Sequence, residues 1–395
     1  MMDVEGLLRE TLADPRHRLE PSPGMYEVVR QRSGQRRRRM LNITGAVTAL
    51  VVIAGVATAV RLSTNSPRKE LTASPSASPP AHAQFNRVDI GAGSTGFVSV
   101  TSSAIFLAQT HPNRLVAASP SDLSIVKQIA TPDAVDGTAV DASLVWTWSS
   151  TQPPVGSGDS AAGSTSIHAY QTSTLAKEVA ASVPAYTFSA IALHGELWLA
   201  TSDGLYVVAN TNGSPTATKL TGGQVFSVAA DAPRHRVLFG VYVDTPATNS
   251  NTNTLGIVAV HAVDTATRHV TTVGAPLPVG KESIAVVDGQ VWVAGYGSGS
   301  LLIHLDAFTL RPIGAVGSSL NNVELGPGAI VWPGESVLWV RAGGSEALSC
   351  VDPKTGAVLE QWDEVQGPVA SVHGHAYAAS DGSLEQLSLA GGCKG

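Results

Sequence analysis

The feature of this sequence that most constrains its fold is a short apolar strand with an aromatic residue at its centre, which recurs along the chain. Its clearest copy is Gly-Gln-Val-Trp-Val-Ala-Gly at 289–295, directly after an Asp. The central aromatic residues are, in chain order, Phe106, Trp146, Trp198, Phe239, Trp292, Trp339 and Tyr377. Their successive spacings are 40, 52, 41, 53, 47 and 38 residues. A strand-only repeat of about 40–50 residues is typical of β-propeller blades.

Each repeat predicts four strands, of which the aromatic strand is the second. Runs of four to seven apolar and small residues alternate with turn pairs such as Asp-Gly and His-Gly, and no amphipathic helix pattern follows residue 84. An Asp-x-x-Thr turn after the third strand recurs at 264–267, 306–309 and 352–355. Asp and Thr side chains hydrogen-bond the backbone of such turns. Seven units over 85–395 average about 44 residues, so we predict an all-β, seven-bladed propeller, with six or eight blades as alternatives.

The end of the chain predicts how this ring closes. The last unit, 369–390, supplies three clear strands, and a spare strand lies at 85–90. We expect that strand to complete the last blade, because closure leaves no open sheet edge. The only two cysteines, Cys350 and Cys393, fall near this closure. They predict a disulfide in an exported domain, with two unpaired thiols as the alternative.

The segment before the repeats predicts a membrane anchor. Residues 1–39 hold nine Arg against six Asp or Glu and too few apolar side chains for a core, so they predict an Arg-rich cytoplasmic stub; a segment that docks a cytoplasmic partner is the alternative. Four Arg then precede an uncharged run, which predicts a transmembrane helix over 40–61 with the N-terminus inside. Cleavage near Ala59 as a signal peptide, or a twin-arginine signal, would instead yield a secreted protein. Residues 62–84 are rich in Ser and Pro and predict a disordered stalk.

Charge and motifs exclude several function classes. Residues 71–395 hold 13 Lys or Arg against 24 Asp or Glu, which argues against nucleic acid as a partner. Gly-x-Gly-x-x-Gly at 91–96 precedes a strand pattern rather than a helix, so we interpret it as a loop. His373-Gly374-His375 occupies the hairpin position of Asp288-Gly289, so we interpret it as a turn and not as a metal site. We therefore predict no catalytic residue, no metal and no cofactor.

One repeat unit resembles a known class of propeller. Val-Asp-Pro-Lys-Thr-Gly-Ala-Val at 351–358, with Leu-Trp-Val upstream at 338–340, resembles the repeat of quinoprotein-like and related bacterial β-propellers. The whole layout is similar to actinobacterial single-pass membrane proteins with an exported propeller. The resemblance covers 85–395 and implies the fold more than an activity. Regular Trp-Asp and Gly-His signatures of WD40 repeats are missing, as is the Cys-x-x-Cys-His motif of c-type haem.

The function predicted from these features is binding. Propellers often present ligands on the face that carries the connections between second and third strands, and Tyr296, Arg341 and Glu346 are the side chains there best suited to polar recognition. We interpret the seven aromatic residues as packing between blades rather than as a ligand-stacking set. The favoured hypothesis is a membrane-anchored extracellular module, without enzymatic activity, that binds or senses a protein, glycan or small molecule. The alternative is an exported lyase, hydrolase or quinone-dependent dehydrogenase that uses the central funnel.

Overall fold

The computed structural model describes most of the repeat region. The described residues are 86–90, 95–151, 163–211, 214–243, 257–277, 279–296, 301–316, 319–320, 323–324, 329–341, 347–363, 365, 367–380, 382–389 and 393. The predicted stub, transmembrane segment and stalk lie outside them. Within the described ranges, no helix has the length and apolar character needed to cross a membrane.

The strands follow one another in blades of four. The closing strand and the first two blades contain β1 (Asn86–Asp89), β2 (Thr95–Val100), β3 (Ile105–Gln109), β4 (Arg114–Ala118), β5 (Ile125–Ala130), β6 (Gly137–Val140), β7 (Leu144–Thr151), β8 (Ser164–Gln171) and β9 (Lys177–Val183). Blades 3 and 4 contain β10 (Thr187–Leu193), β11 (Glu196–Thr201), β12 (Gly204–Thr211), β13 (Ser214–Gly222), β14 (Val225–Asp231), β15 (Arg236–Val243), β16 (Ile257–Asp264) and β17 (Val270–Leu277). Blade 5 and the connection after it contain β18 (Gly280–Val287), β19 (Gln290–Tyr296), β20 (Leu301–Leu305), β21 (Pro312–Val316), β22 (Ser319–Leu320) and β23 (Val323–Glu324). Blades 6 and 7 contain β24 (Ile330–Pro333), β25 (Leu338–Arg341), β26 (Leu348–Val351), β27 (Val358–Trp362), β28 (Val369–Val372), β29 (His375–Ser380) and β30 (Ser383–Leu387).

These strands form a seven-bladed β-propeller, as predicted. The described residues build seven four-stranded antiparallel sheets, each in sequence order except the last, whose order is β1-β30-β29-β28. The innermost strands of neighbouring blades contact one another all the way round, including β28 with β2. The ring is therefore closed, and the prediction that the spare strand completes the last blade is confirmed.

The connection between blades 5 and 6 contains a strand pair that the sequence pattern does not predict. It contains a short antiparallel hairpin in which β22 pairs with β23, Ser319 opposite Glu324. Pairs of two residues carry almost no periodic signal, so the sequence pattern could not predict them. The described residues also contain one short 3₁₀ turn, Ala232–Arg234.

The two ends of the propeller carry different connections. We call the end with the connections between blades and between second and third strands the loop face, and the opposite end the turn face. Because Asn86 pairs with Gln386 and Asp89 with Ser383, β1 runs from the turn face to the loop face. The chain therefore enters the propeller on the turn face.

The repeated aromatic residues lie in the second strands and are all buried, with relative exposures between 0% and 3%. Trp198 of blade 3 shares a hydrophobic cluster with Val225 and Val237 of blade 4. The Trp292 Nε1–H donates to the Pro353 carbonyl of blade 6 at 2.9 Å. The Tyr377 hydroxyl donates in the same way to the Pro120 carbonyl of blade 1, at 3.1 Å. These side chains thus pack blades against one another, and Trp292 and Tyr377 also donate hydrogen bonds to turns of the next blade.

The turn face is built from the turns that the sequence predicts. Both residues of His194-Gly195, Asp288-Gly289 and His373-Gly374 have positive φ, as type I′ hairpins require. Neighbouring turns are linked, since the Glu335 carboxylate accepts the backbone N–H groups of His373 and Gly374 at 2.7 and 3.0 Å. His373 is therefore a hairpin residue. These bonds, that from the His373 N–H above all, hold the pKa of Glu335 below its ordinary value.

The Asp-x-x-Thr turns predict how stability depends on pH. The carboxylates of Asp264, Asp306 and Asp352 accept hydrogen bonds from backbone N–H groups, and these bonds lower the pKa of each carboxyl group. The largest effect comes from the N–H of Thr267, Thr309 and Lys354, respectively. A lowered folded-state pKa stabilises the fold above the unfolded value, about 4 for Asp, and the gain is lost as pH falls through the folded pKa. We expect the melting temperature to be flat down to about pH 5 and to fall below about pH 4.

The matched variant is the triple change Asp264→Asn, Asp306→Asn and Asp352→Asn, which keeps a turn acceptor but removes its titration. We expect its melting temperature to fall less steeply between pH 5 and pH 3 than that of the wild type, with the exposed Glu178→Gln change as control. Identical slopes for the triple variant and the wild type would contradict the assignment.

Candidate functional site

The loop face carries aromatic side chains at the start of the innermost strands. The pairing of four of these strands with their second strands shifts register at this end, between Thr95 and Val98, Thr187 and Ser189, Val225 and Val228, and Gly280 and Ser283. A Phe occupies three of the four interruptions, at Phe97, Phe188 and Phe226. Bulges of this kind re-aim a side chain and are common beside functional sites.

Two of these residues form the centre of a continuous aromatic run, which we define as Tyr186, Phe188, Phe226 and Tyr242. The ring centres are 5.2 Å apart from Tyr186 to Phe188, 4.9 Å from Phe188 to Phe226 and 6.0 Å from Phe226 to Tyr242. The first and last contacts are edge-to-face, and every ring is partly exposed. The run therefore spans the loop-face ends of blades 3 and 4 and offers aromatic surface to solvent.

The third Phe belongs to a separate contact in blades 1 and 2. The ring centres of Phe97 and Trp148 are 5.5 Å apart. Trp148 lies over Gly137 of the innermost strand, where an added Cβ would be 2.1 Å from the indole ring. Glycine at that position makes the room for the buried indole.

Hydroxyl groups hold the innermost strands together beneath these rings. Ser99 Oγ donates to the Thr138 carbonyl at 2.9 Å, which joins blades 1 and 2, and the Thr187 N–H donates to Ser150 Oγ at 3.3 Å, which joins blade 3 to blade 2. The aromatic rings are consequently carried on strands that are fixed to their neighbours, as a preorganised binding surface requires.

Of the three polar residues predicted for ligand binding, the structure describes the side chain of Arg341 only. Tyr296 ends β19 and Arg341 ends β25, so both lie at the loop-face ends of second strands, in blades 5 and 6. The Tyr296 side chain and all of Glu346 lie outside the described part of the chain. The Arg341 guanidinium lies over the Trp332 ring, 5.0 Å from its centre, and both side chains are half-buried.

The electrostatic environment of Arg341 is unusual. Its Nε and Nη2 atoms are buried, and no hydrogen-bond partner for them occurs among the described residues. Burial lowers the pKa of the guanidinium. A partly buried cation costs free energy unless a counter-charge or acceptor compensates it.

The turn face has a cavity of about 320 Å³ between blades 3 and 4. In the turn that connects the third and fourth strands, the fifth residue is a buried Leu in three blades, Leu123, Leu175 and Leu310. Blade 4 has Arg268 instead, whose guanidinium lies 4.6 Å from the centre of the Trp198 ring. The Glu196 carboxylate accepts from Arg268 Nη2 at 2.5 Å, so this arginine is neutralised within the protein.

His304 and the two cysteines contribute to the packing of the fold. His304 stacks on Trp292 with ring centres 4.5 Å apart, and burial lowers its pKa. Within the described ranges, no group of three His, Cys, Asp or Glu side chains could hold a metal ion. Cys350 and Cys393 are joined in a disulfide, and both are buried.

Sequence reasoning missed Phe188 and Phe226, although a signal for them exists. Thr-Phe-Ser-Ala at 187–190 and Val-Phe-Ser-Val at 225–228 occupy the same position of two consecutive repeats. A Phe that recurs at the start of an innermost strand is distinct from the buried aromatic residue of the second strand. Comparing the repeats position by position would have found it.

Comparison with known proteins supports the fold. No family model matches the sequence, and no curated protein sequence matches it. Solved structures do match the structure. Hydrazine synthase from Kuenenia stuttgartiensis matches with a TM-score of 0.59 and 9% identity, over 77% of this chain and 97% of the other. The β-propeller domain of Cps50 (Swd1) from Myceliophteria thermophila matches with a TM-score of 0.58 and 9% identity, over 78% of this chain and all of the other. BamB from Moraxella catarrhalis matches with a TM-score of 0.46 and 11% identity, over 75% of this chain and 84% of the other. At these identities the likeness concerns the fold alone.

Proposed function

We propose that this chain is a membrane-anchored, extracellular binding or sensing module without enzymatic activity, and that the loop face of its propeller binds a partner protein. The aromatic run carries the proposal. Four partly exposed rings in mutual contact, held on fixed strands, supply large contact area at little cost in side-chain entropy. Aromatic side chains are enriched in protein interfaces and among the residues that dominate binding energy.

The entry point of the chain supports this choice of face. Because β1 starts on the turn face, a stalk and membrane anchor before Asn86 would join the propeller at the end opposite to the aromatic run. The loop face would then be free to meet a partner. The single-pass layout of actinobacterial propeller proteins, which the sequence resembles, fits the same arrangement, with the Arg-rich stub inside the cell.

The test is a binding selection with matched variants. A random peptide library displayed on phage is selected on the purified full-length chain, and the enriched peptides are titrated against variants. We expect Phe226→Ala and Phe188→Ala to weaken binding by about tenfold to a hundredfold, as for truncation of aromatic anchors at interfaces. The control is Phe308→Ala, an equally simple truncation of a Phe that is 71% exposed in a turn of the turn face.

Two results would overturn the proposal. One is that no peptide is enriched over the phage background. The other is that the enriched peptides bind the Phe226→Ala and Phe308→Ala variants equally well. Circular dichroism of each variant establishes that the strand content is retained, so that a loss of binding is not a loss of fold.

A further inference from the structure

We propose that Arg341 and Trp332 form a carboxylate-binding site at the loop face of blade 6, and that the partner protein presents an Asp or Glu side chain to it. The inference rests on the proposed function, because it names the group that the loop face recognises. Its basis is a departure from the repeat at two neighbouring positions on one side of blade 6.

The first departure concerns the position two residues after the repeated aromatic, at the loop-face end of the second strand. Arg341 occupies it in blade 6. The other six blades have apolar residues there, namely Ala108, Trp148, Ala200, Val241, Ala294 and Ala379. Five of these six are fully buried. A charged side chain at a position built for apolar packing needs a reason beyond the fold.

The second departure concerns the innermost-strand residue that lies opposite the repeated aromatic. In blade 6 this residue is Trp332, which pairs with Trp339. The other six blades have smaller residues there, namely Ser99, Ala139, Ile191, Val228, Ala285 and Ala370. The indole supplies the surface on which the Arg341 guanidinium lies, and Arg341 Cζ is 5.0 Å from the centre of the Trp332 ring. The two departures therefore belong to one arrangement.

The chemistry of the buried edge of the Arg341 guanidinium identifies the ligand. The Nε and Nη2 N–H groups of an arginine point the same way and form one side of the planar fork, which matches the two oxygens of a carboxylate. In Arg341 these are the two buried atoms without a partner among the described residues. Contact with the Trp332 ring restricts the guanidinium, and because both atoms are buried, a carboxylate reaches them only when the groups that cover them move aside.

The other arginines that lie on aromatic rings each have an acidic partner, although Arg268 Nη1 is also buried without one among the described residues. Arg268 lies on Trp198 and is paired with Glu196 at 2.5 Å. Arg234 lies on Phe308 and is paired with Asp231 at 3.1 Å. Both are on the turn face, where the protein supplies the acid itself. Arg341 is on the loop face, and a bound carboxylate would give it the partner that the other two have.

The experiment is a double-mutant cycle on the peptides from the selection described above. The peptides are displayed without a free carboxyl terminus, so an acidic side chain is the carboxylate under test. We expect the enriched peptides to contain Asp or Glu, and the change of that residue to Asn or Gln to weaken binding to the wild-type full-length chain at least tenfold. The same change should have less than a twofold effect on the Arg341→Gln variant, because the contact is already gone.

Two further variants separate a specific contact from general charge. Arg341→Lys keeps the charge but lacks the planar fork, so we expect it to recover little of the lost affinity. Arg268→Gln removes a stacked arginine from the opposite face and should leave binding unchanged. Enriched peptides that bind wild type and Arg341→Gln equally would overturn the carboxylate site and leave loop-face binding intact. Full recovery with Arg341→Lys would overturn the fork geometry.

A probe that needs no peptide keeps the two proposals distinguishable. The melting temperature of the full-length chain is measured in sodium acetate, sodium phosphate and sodium chloride at equal ionic strength. We expect acetate to raise it for wild type and Arg268→Gln but not for Arg341→Gln. Equal melting temperatures in acetate and chloride would overturn the site even if peptides bind, and a rise in phosphate alone would assign it to phosphate esters instead. A rise in acetate that depends on Arg341, with no enriched peptide, would retain the carboxylate site and overturn the proposed protein partner.

Discussion

A chain that begins at residue 91 is expected to lose most of its stability and to self-associate, whereas one that begins at residue 80 should behave like the full-length protein. The reason is the closing strand. β1 supplies the outer edge of blade 7, with Arg87 paired to Glu385 at 3.2 Å. Ile90 is 2% exposed and joins two blades, because its N–H donates to the Gly382 carbonyl while its own carbonyl accepts from Arg114 of blade 1.

The expected magnitude follows from these contacts. Removing a buried Ile costs about 2–5 kcal/mol, and each net hydrogen bond contributes about 1 kcal/mol. Their sum is a large part of the unfolding free energy of a typical domain, which is about 5–15 kcal/mol. The bared strand β30 would also offer an open edge to other chains. Urea unfolding and light scattering of the two truncated chains measure both effects.

A synthetic peptide of residues 80–92 serves as the control, since it can add the missing strand back. We expect it to restore the unfolding midpoint of the shorter chain by pairing with β30. Equal midpoints and a monomeric state for both truncated chains would show that the ring does not depend on this strand.

The parts of the fold that could be predicted from the sequence are those that local chemistry determines. Trp292 sits in an apolar run between two turns, and the Asp306 turn is fixed by bonds within four residues, so both are visible in a short window. The spare strand at 85–90 was predictable because a ring with three strands in its last blade has an unfilled edge. Because these local signals recur with a period of about 40–50 residues, they predict a propeller.

The candidate site could not be predicted to the same extent, because it depends on contacts between blades. Phe188 and Phe226 are 38 residues apart in sequence, and only the docking of blade 3 on blade 4 brings their rings within 4.9 Å. Arg341 was selected as a polar side chain suited to recognition, but nothing in its neighbouring sequence indicates that Trp332 lies beneath it. A register shift of one or two residues in an innermost strand decides where Phe188 points, and such shifts have no reliable sequence signal.

The second large effect is expected from the bond between Cys350 and Cys393. The double variant Cys350→Ala, Cys393→Ala should lose about 4 kcal/mol of unfolding free energy, because the disulfide closes a loop of 43 residues in the unfolded chain. The bond fastens the end of the chain beside blade 7, where Cys393 and Leu387 share a hydrophobic cluster with Trp339. Dithiothreitol should lower the urea midpoint of the wild type and leave that of the variant unchanged, and an equal response from both would contradict the prediction.

The oxidation state of this cysteine pair also indicates the compartment in which the protein resides, so it tests the proposed export. Disulfides persist outside the cytoplasm and are rare within it. We expect alkylation of intact cells to find both cysteines oxidised in the full-length chain, and free thiols in a chain that begins at residue 62 and so stays in the cytoplasm. If the full-length chain is found reduced, the propeller is not exported, and the loop face must meet its partner inside the cell. Because the cytoplasmic form would also lack about 4 kcal/mol, its lower melting temperature gives a second readout that does not depend on the alkylation chemistry.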